Sequence, residues 1–197
     1  MSFMRDITNN EMAFVLAIFK SPDRQYNASS LAQFMGISRM GALKIAKRLE
    51  NERIISSKMF GKAKFYRLNM ENDYVRQYII FLLKREAEQA DPHLKAWISE
   101  IRKIKSADAA ILFGSILRKF KEAKDIDVMV ITDQKRFKKL EKEIKEIDEL
   151  NVKRIHPLYQ TKEDFIKNIK NEDKPLLDSI KGIYAFGEDL IMELLQK

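Results

Sequence analysis

The sequence predicts a chain of mixed class, α+β followed by α/β, in which a small helical domain with a hairpin precedes a domain built on a small mixed sheet. Up to about residue 70, apolar residues at helical spacing are followed by two short predicted strands on either side of a glycine. Residues 71–105 contain no Gly and only one Pro, and from residue 106 short apolar strands alternate with helices. We therefore expect domains at 1–70 and 106–197, joined by a helical support at 71–105.

Composition limits the chemistry of this chain. It has no Cys, which excludes a disulfide framework or thiolate zinc site, and its histidines, His93 and His156, lack ligand spacing. Any metal should therefore be a hard cation held by carboxylates. No apolar run approaches the length of a membrane span, and the first ten residues lack a signal-peptide pattern. We expect a soluble cytoplasmic protein with no membrane partner.

The net charge of +8 is unevenly distributed. Residues 1–70 carry 12 Lys and Arg against 5 Asp and Glu, whereas residues 71–197 carry 25 against 24. A local excess of this kind suits a polyanionic partner, with nucleic acid ahead of a membrane because no basic amphipathic helix accompanies it. Ordinary surface lysine explains the composition equally well.

Three helices and a hairpin are predicted in the first 70 residues. The helices span Asn10–Lys20, a segment from an N-cap at Ser29 to a stop at Gly36, and Arg39 to about Glu52 after an N-cap at Ser38. The second and third helices, joined by a tight turn with Gly, form a helix-turn-helix. The hairpin strands are Ile54–Met59 and Ala63–Leu68, around Phe60-Gly61-Lys62.

The segment SSLAQFMGISRMGALKIAKRLENERIISSKMFGKAKFYRL, residues 29–68, resembles the winged helix-turn-helix of bacterial and archaeal transcription regulators. The resemblance implies that the third helix enters the major groove of double-stranded DNA and that the hairpin is the wing. On this resemblance the DNA-binding residues are Arg39, Met40, Lys44 and Lys47 of the helix and Lys62 and Lys64 of the wing. Arg53 departs from the pattern, because many relatives have Gly there. A winged helix used only for protein contact is the alternative.

The helical segment 71–105 carries apolar residues around much of its circumference, so it needs cover on more than one side. Asp91-Pro92 breaks it into two helices, since Pro is favoured in the first turn of a helix. Two interpretations are equally good. The segment is an interdomain support that also serves as a homodimer interface, or it simply packs onto the neighbouring domains.

The remaining residues alternate strands and helices. Strands are predicted at Ala109–Phe113, Ile126–Ile131 and near Val152–Leu158. The helices are predicted at Gln134–Leu150, Lys162–Lys170, Pro175–Lys181 and Glu188–Leu195.

The chemistry is concentrated in AILFGSILRKFKEAKDIDVMVI, residues 110–131. A glycine at position 114 lets the backbone approach a phosphate closely, and Ser115 at a helix start offers N–H and hydroxyl donors to a triphosphate. Asp125 and Asp127 point to the same face of a strand because side chains alternate, so they can share magnesium ions, while Ile126 and Val128 face the core. Two such ions would neutralise the triphosphate and orient an attacking hydroxyl.

This stretch resembles the Gly-Ser then Asp-x-Asp signature of minimal nucleotidyltransferases, the superfamily that contains DNA polymerase beta and the aminoglycoside nucleotidyltransferases. The later segments IHPLYQTKEDF and KGIYAFGEDLI also resemble archaeal and bacterial members, so the resemblance covers about residues 105–197. It implies that Gly114 and Ser115 bind nucleotide phosphates, and that Asp125 and Asp127 are catalytic and bind Mg²⁺. The implied nucleotide is a triphosphate, with ATP as the first candidate.

Two departures bear on catalysis. Phe120 lies where active relatives often have Gly, which predicts a differently shaped loop over the triphosphate. Active members also use a third acidic residue from the next strand, but residues 151–156 read NVKRIH and supply Lys153 and Arg154 instead. Glu149, just before this strand, is a weak substitute.

Two functions follow, and the sequence leaves both open. The first is a DNA-binding enzyme that transfers a nucleoside monophosphate to a hydroxyl of a protein or small molecule. The second is a transcription regulator whose degenerate transferase domain only senses nucleotide or mediates assembly. The Asp125/Asp127 pair favours the first, and the missing third carboxylate favours the second.

Overall fold

The computed structural model describes residues 7–197, which form two compact units, one up to Leu82 and one from Leu83 to Lys197. The first unit is helical with a small antiparallel sheet, and the second is an α/β unit on a mixed sheet, which confirms the mixed fold class. Leu82 and Leu83 lie in one helix, so that helix contributes residues to both units.

The first unit begins with three helices: α1 (Asn9–Phe19), α2 (Ala28–Met35) and α3 (Arg39–Asn51). Thr8 caps α1 in a capping box with Glu11. Gly36 ends α2 in the left-handed conformation, φ 64°, and the Ser38 side chain caps α3 by accepting a hydrogen bond from the Gly41 N–H at 3.0 Å. The predicted end and start signals at Gly36 and Ser38 are therefore confirmed.

The N-cap of α2 was predicted incorrectly. Asn27, not Ser29, caps this helix, because its side-chain oxygen accepts hydrogen bonds from the Ser29 and Ser30 N–H groups at 2.9 Å. Asn27 also belongs to β1 (Tyr26–Asn27), a two-residue strand that the sequence pattern did not predict.

A three-stranded antiparallel sheet completes the winged helix. Its order is β1-β3-β2, with β2 at Ile55–Phe60 and β3 at Ala63–Leu68. The hairpin of β2 and β3, the wing, turns at Gly61 with φ 58°. Helix α4 (Asp73–Gln89) follows, with Val75 and Ile79 fully buried in it.

The second unit contains a four-stranded sheet in the order β6-β5-β4-β7. Strands β5 and β6 are parallel and the other neighbours are antiparallel, as the predicted mixed sheet requires. The strands are β4 (Ala109–Phe113), β5 (Ile126–Ile131), β6 (Ile155–Gln160) and β7 (Ile183–Phe186).

Helices cover this sheet on both faces, which explains why β5 is buried along nearly its whole length. Ile126, Val128 and Val130 join the core that contains Trp97 and Leu140, so the predicted inward direction of Ile126 and Val128 is confirmed. The helices are α5 (Pro92–Ile101), α6 (Phe137–Leu150), α7 (Lys162–Lys170), α8 (Lys174–Ile180) and α9 (Glu188–Leu194).

Strand boundaries in this unit were predicted unevenly. The bounds of β4 and β5 agree with the prediction, but β6 begins at Ile155 instead of near Val152. Strand β7 was missed altogether. Hydrogen bonds to partner strands determine where β6 and β7 begin and end. Strand β6 pairs with β5 from Ile126↔Ile155 onward, and β7 pairs with β4.

Candidate active site and nucleic-acid interface

The Gly-Ser pair and the Asp-x-Asp pair meet at one end of the sheet of the second unit. Antiparallel pairing of β4 and β5 places Phe113 opposite Asp127, and Gly114 follows directly. Two segments separated by nine residues in the sequence are thereby adjacent in space. The structure brings Gly114 and Asp127 together.

Gly114 is in contact with the Asp127 side chain. Its φ is +81°, and a Cβ added at this position would overlap the Oδ2 atom of Asp127 and lie 2.8 Å from its Cγ. Both the backbone conformation and the close approach therefore require glycine. The close approach in the structure is to the Asp127 carboxylate, and approach to a phosphate stays a prediction.

Ser115 lies exposed in a short 3-10 helix, Gly114–Leu117. The Gly-Ser pair therefore lies at the start of a short helix, as the sequence predicts. The hydroxyl of Ser115 and the backbone N–H groups of the turn are the donors that a phosphate would meet here.

The two aspartates differ in their surroundings. Asp127 is the second residue of β5 and is half-buried, whereas Asp125 precedes the strand and is exposed. In residues 7–197 no three His, Asp or Glu side chains lie close enough together to form a metal-binding group. Asp127 beside the Gly-Ser turn, with Asp125 two residues before it, would fit Mg²⁺, which proteins commonly hold through one or two carboxylates together with substrate phosphates.

His156 lies beside Asp127, which the sequence reasoning missed. Parallel pairing of β5 and β6 places His156 opposite Asp127, and the His156 Nδ1 is 3.1 Å from the Asp127 Oδ1. His156 is therefore the residue paired with Asp127 on the strand where the family resemblance implies a third acid. A histidine two residues after a basic pair carries no such signal without the strand register.

Lys153 does not lie at that position. Its ammonium group donates a hydrogen bond to the Ala123 carbonyl oxygen and lies 5.4 Å from the centroid of the Phe120 ring. Phe120, in turn, contacts the ring of His93 at a centroid distance of 4.1 Å. Lys153 and Phe120 thus hold the loop between β4 and β5. Glu149 is directed toward Lys145 of its own helix, at 3.9 Å.

That loop is strongly basic, a feature that the sequence reasoning did not use. Between Ser115 and Asp125, every Lys and Arg side chain is exposed: Arg118, Lys119, Lys121 and Lys124. The chain folds back here because the Ser115 carbonyl accepts the Lys119 N–H at 2.8 Å and the Lys119 carbonyl accepts the Ala123 N–H at 2.9 Å. Positive charge next to the Gly-Ser turn favours a polyphosphate.

Hydrogen bonds to two partly exposed carboxylates fix the entry to β4. Glu143 accepts hydrogen bonds from the Lys105 N–H, the Ser106 N–H and the Ser106 hydroxyl, each at 2.9 Å. Desolvation raises the pKa of Glu143, but the bonds from Ser106 and Lys105 outweigh it and lower the pKa overall. The carboxylate of Asp108 binds Arg136 through both oxygens at 2.8 and 2.7 Å, and this pairing lowers the pKa of Asp108.

The predicted DNA-binding residues of the first unit are all exposed. On α3 these are Arg39, Met40, Lys44 and Lys47, and on the wing they are Lys62 and Lys64. The inner side of α3 is buried at Ala42, Ala46 and Leu49. The basic side chains are therefore on the side of α3 away from the core of the unit.

Lys64 is engaged within the protein. Its ammonium group lies 2.8 Å from the carboxylate of Glu50 on α3, which also accepts a hydrogen bond from the Ser57 hydroxyl at 2.5 Å. Desolvation opposes ionisation of Glu50, but Lys64 and Ser57 lower its pKa overall. Glu50 thus joins the wing to α3 and offsets part of the charge of Lys64. Lys62, at the turn, remains exposed.

The wing has a second basic face. Lys58 and Arg67 belong to the cross-strand pairs Lys58↔Phe65 and Ser56↔Arg67. These pairs alternate along the hairpin with the pairs that contain Ser57 and Lys64, so their side chains lie on the opposite face. Lys58 and Arg67 are exposed there, and both were omitted from the sequence-based set.

Arg53 stands in the left-handed conformation, with φ 57°. Its carbonyl oxygen accepts a hydrogen bond from the Asn69 side-chain amide at 2.7 Å. The turn between α3 and β2 therefore has the geometry that glycine favours, although the residue is Arg.

Residues 95–187 match the family model described as Polymerase beta, Nucleotidyltransferase. The matched range contains the Gly-Ser turn, the Asp-x-Asp pair and all strands of the mixed sheet. The second unit thus carries a nucleotidyltransferase domain of the polymerase beta family.

Solved structures similar to this chain include transcriptional regulators. Adhesin competence repressor AdcR from Streptococcus pyogenes is 13% identical, with a TM-score of 0.38 over 50% of this chain and 68% of that chain. Heme sensor protein PefR from Streptococcus agalactiae, in complex with heme, is 18% identical, with a TM-score of 0.36 over 52% and 77%. Lactococcus lactis ZitR in complex with DNA is 12% identical, with a TM-score of 0.31 over 51% and 74%. No curated protein matches the chain significantly.

No helix in residues 7–197 has the length and apolar character needed to cross a membrane.

Proposed function

We propose that this chain is a DNA-binding protein whose second unit transfers a nucleoside monophosphate from a nucleoside triphosphate, with ATP as the first candidate, to an acceptor hydroxyl. The observation that carries the proposal is the contact between Gly114 and Asp127 inside a nucleotidyltransferase domain. This contact, between the Gly-Ser turn and one carboxylate of the Asp-x-Asp pair, supports a site that binds a triphosphate beside its metal ligands.

In the proposed reaction the acceptor oxygen forms a bond to the α-phosphorus while the bond from that phosphorus to the bridging oxygen breaks. Pyrophosphate leaves, and the hydroxyl proton passes to solvent or to a nearby base. The Gly114–Ser115 turn would donate hydrogen bonds to the phosphates, and the lysines of the following loop would balance their charge. Asp125 and Asp127 would hold Mg²⁺, which when bound supplies charge neutralisation and orients the reacting oxygens.

A regulator with a silent transferase domain is the second candidate. It is favoured by the absence of a carboxylate at the β6 position opposite Asp127, where His156 stands. In this case nucleotide would bind to the second unit as a signal without turnover.

Both candidates include DNA binding by the first unit. Exposed basic residues on α3 and the wing support this role, since these elements face the duplex in winged helices. Regulators of this kind commonly bind palindromic sites as dimers, so a homodimer on double-stranded DNA is proposed as well.

One experiment distinguishes the two candidate functions. The protein is incubated with Mg²⁺ and with each nucleoside triphosphate labelled on the α-phosphate. Label retained on the protein, or on an added hydroxyl acceptor, supports transfer. Magnesium-dependent nucleotide binding without label on any acceptor supports the silent domain. Absence of nucleotide binding contradicts both.

A further inference from the structure

We infer that the outer face of the wing, formed by Lys58, Phe60, Phe65 and Arg67, binds single-stranded nucleic acid by stacking the Phe60 ring on an unpaired base. This binding mode goes beyond the proposed binding of duplex DNA through α3 and does not depend on it.

The two faces of the wing have different surroundings. Ile55 and Tyr66 are buried on the inner face, where the Tyr66 ring lies 6.0 Å from the ring of Phe14 on α1, centroid to centroid. Strand alternation places Phe60 and Phe65 on the opposite, outer face. Phe60 is 50% exposed there. A single exposed apolar side chain is common on proteins, so its neighbours decide whether it has a partner.

The Phe60 ring is positioned by a second ring. Its centroid is 5.7 Å from that of Phe65, with the two planes at 74°, which is the favourable edge-to-face arrangement. Because Phe65 is half-buried in the sheet, this contact restricts the Phe60 ring and leaves it accessible. A ring that is already restricted loses little conformational entropy when a base stacks on it.

Basic side chains flank the two rings. The Lys58 ammonium group is 5.1 Å from the centroid of Phe60, and the Arg67 Nε donates a hydrogen bond to the Ser56 hydroxyl at 3.1 Å. Residues 55–68 contain four Lys and Arg and no Asp or Glu. Aromatic rings among cations are typical of surfaces that bind single strands, since the rings stack on bases and the cations attract phosphates.

An unpaired base fits this face better than a duplex does. In a duplex the faces of the bases are already stacked on one another, and only base edges line the grooves. Phenylalanine has no donor or acceptor with which to read those edges. A single strand presents base faces and phosphates together, so it matches both the rings and the cations.

Fluorescence anisotropy with a labelled oligothymidylate of about 12 nucleotides measures this binding to the full chain. We expect Phe60→Leu, which keeps an apolar side chain but removes the ring, to weaken binding about tenfold, whereas Phe60→Tyr should retain it. Lys58→Ala should lower the slope of log affinity against log salt by about 0.7, the value for one phosphate of a single strand. Phe34→Leu, at an exposed position of α2, is the matched control and should leave the affinity unchanged. An oligouridylate of the same length shows whether RNA or DNA binds more tightly.

Binding of neither oligonucleotide at low salt, or an unchanged affinity in Phe60→Leu, would overturn the inference. An equal loss of duplex binding in Phe60→Leu would also overturn it, because the ring would then act on duplex DNA. Circular dichroism checks the fold of each variant, and Phe60→Met replaces Phe60→Leu if that variant does not fold. Wild-type binding of a duplex is measured separately, so failure of the proposed function would appear as lack of duplex binding while oligothymidylate still binds.

Discussion

Gly114 and Asp127 are in such close contact that no side chain can be placed at position 114 without displacing the carboxylate. The backbone there also has a positive φ of 81°, so the position combines two separate requirements for glycine. The contact joins the end of β4 to the start of β5.

Gly114→Ala should therefore destabilise the protein by about 3 kcal/mol, from the left-handed backbone together with steric overlap. It should also abolish stabilisation by a triphosphate, because Asp127 must move. The wing residue Gly61 is a matched control, since its φ is 58° but nothing lies within 4 Å of an added Cβ. Gly61→Ala should cost only about 1 kcal/mol in urea unfolding followed by circular dichroism. Equal costs for the two variants would contradict the steric argument.

Asp125→Asn combined with Asp127→Asn should remove the effect of nucleotide on the melting temperature. A triphosphate with Mg²⁺ at about one hundred times its dissociation constant stabilises the folded state by about 2.7 kcal/mol. The double variant should melt at one temperature with or without nucleotide, and its circular dichroism should match that of wild type. An undiminished shift would place the binding site elsewhere.

Binding of double-stranded DNA by the first unit should weaken strongly with salt. Lys62→Ala should lower the slope of log affinity against log salt by about 0.9, since each phosphate contact releases counterions. Arg39→Ala should in addition reduce discrimination between sequences. Lys170→Ala, at an exposed position of α7 in the second unit, is the charge-matched control. Absence of any gel shift at low salt would rule out DNA binding.

Arg53→Gly should stabilise the first unit by about 1 kcal/mol, because glycine relieves the left-handed strain at φ 57°. Arg53→Ala removes the same charge but keeps the strain, so it should give no gain. Glu172, with φ 51°, is the corresponding position in the second unit, and Glu172→Gly should show a similar gain. Thermal unfolding measures all three variants. A gain in Arg53→Ala equal to that in Arg53→Gly would assign the effect to charge instead.

Acid should destabilise the second unit through Glu143. The pKa of Glu143 is lowered in the folded state from its ordinary value of 4.5, so its contribution to stability is present above that pH and is lost as the pH falls through the folded pKa. Glu143→Gln should cost about 1–2 kcal/mol at pH 7 and much less at pH 3. Fluorescence of Trp97, the sole tryptophan, reports unfolding of this unit. A cost that does not change with pH would contradict the assignment.

Local signals in the sequence were sufficient for much of the fold. The bounds of β4 and β5 could be predicted because each is a continuous apolar run that ends at a Gly or begins beside an Asp. Gly36 and Ser38 act on their own helices through backbone conformation and capping, so neighbouring residues suffice to recognise them. The pairing of Gly-Ser with Asp-x-Asp likewise depends only on two adjacent strands joined by a short loop.

Other features depended on partners distant in the chain. Strands β1 and β7 are short and are defined by hydrogen bonds to β3 and β4. The start of β6 was displaced in the prediction because residues 152–154 have an extended-looking pattern, whereas the paired register with β5 begins only at Ile155. Lys64 was assigned to DNA alone because its ion pair with Glu50, 14 residues away, is formed only when the wing folds back on α3.

By itself the sequence determined the fold class and the helix-turn-helix with its wing, and it predicts four residues of a candidate transferase site. Only the tertiary structure decided that His156, and not Lys153, lies beside Asp127. The two residues are 29 positions apart, and their contact depends on the register of a parallel strand pair. A shift of one residue would turn His156 to the opposite face, since side chains alternate along a strand. That register is set by burial of Ile126 and Ile155 together, which no local pattern records.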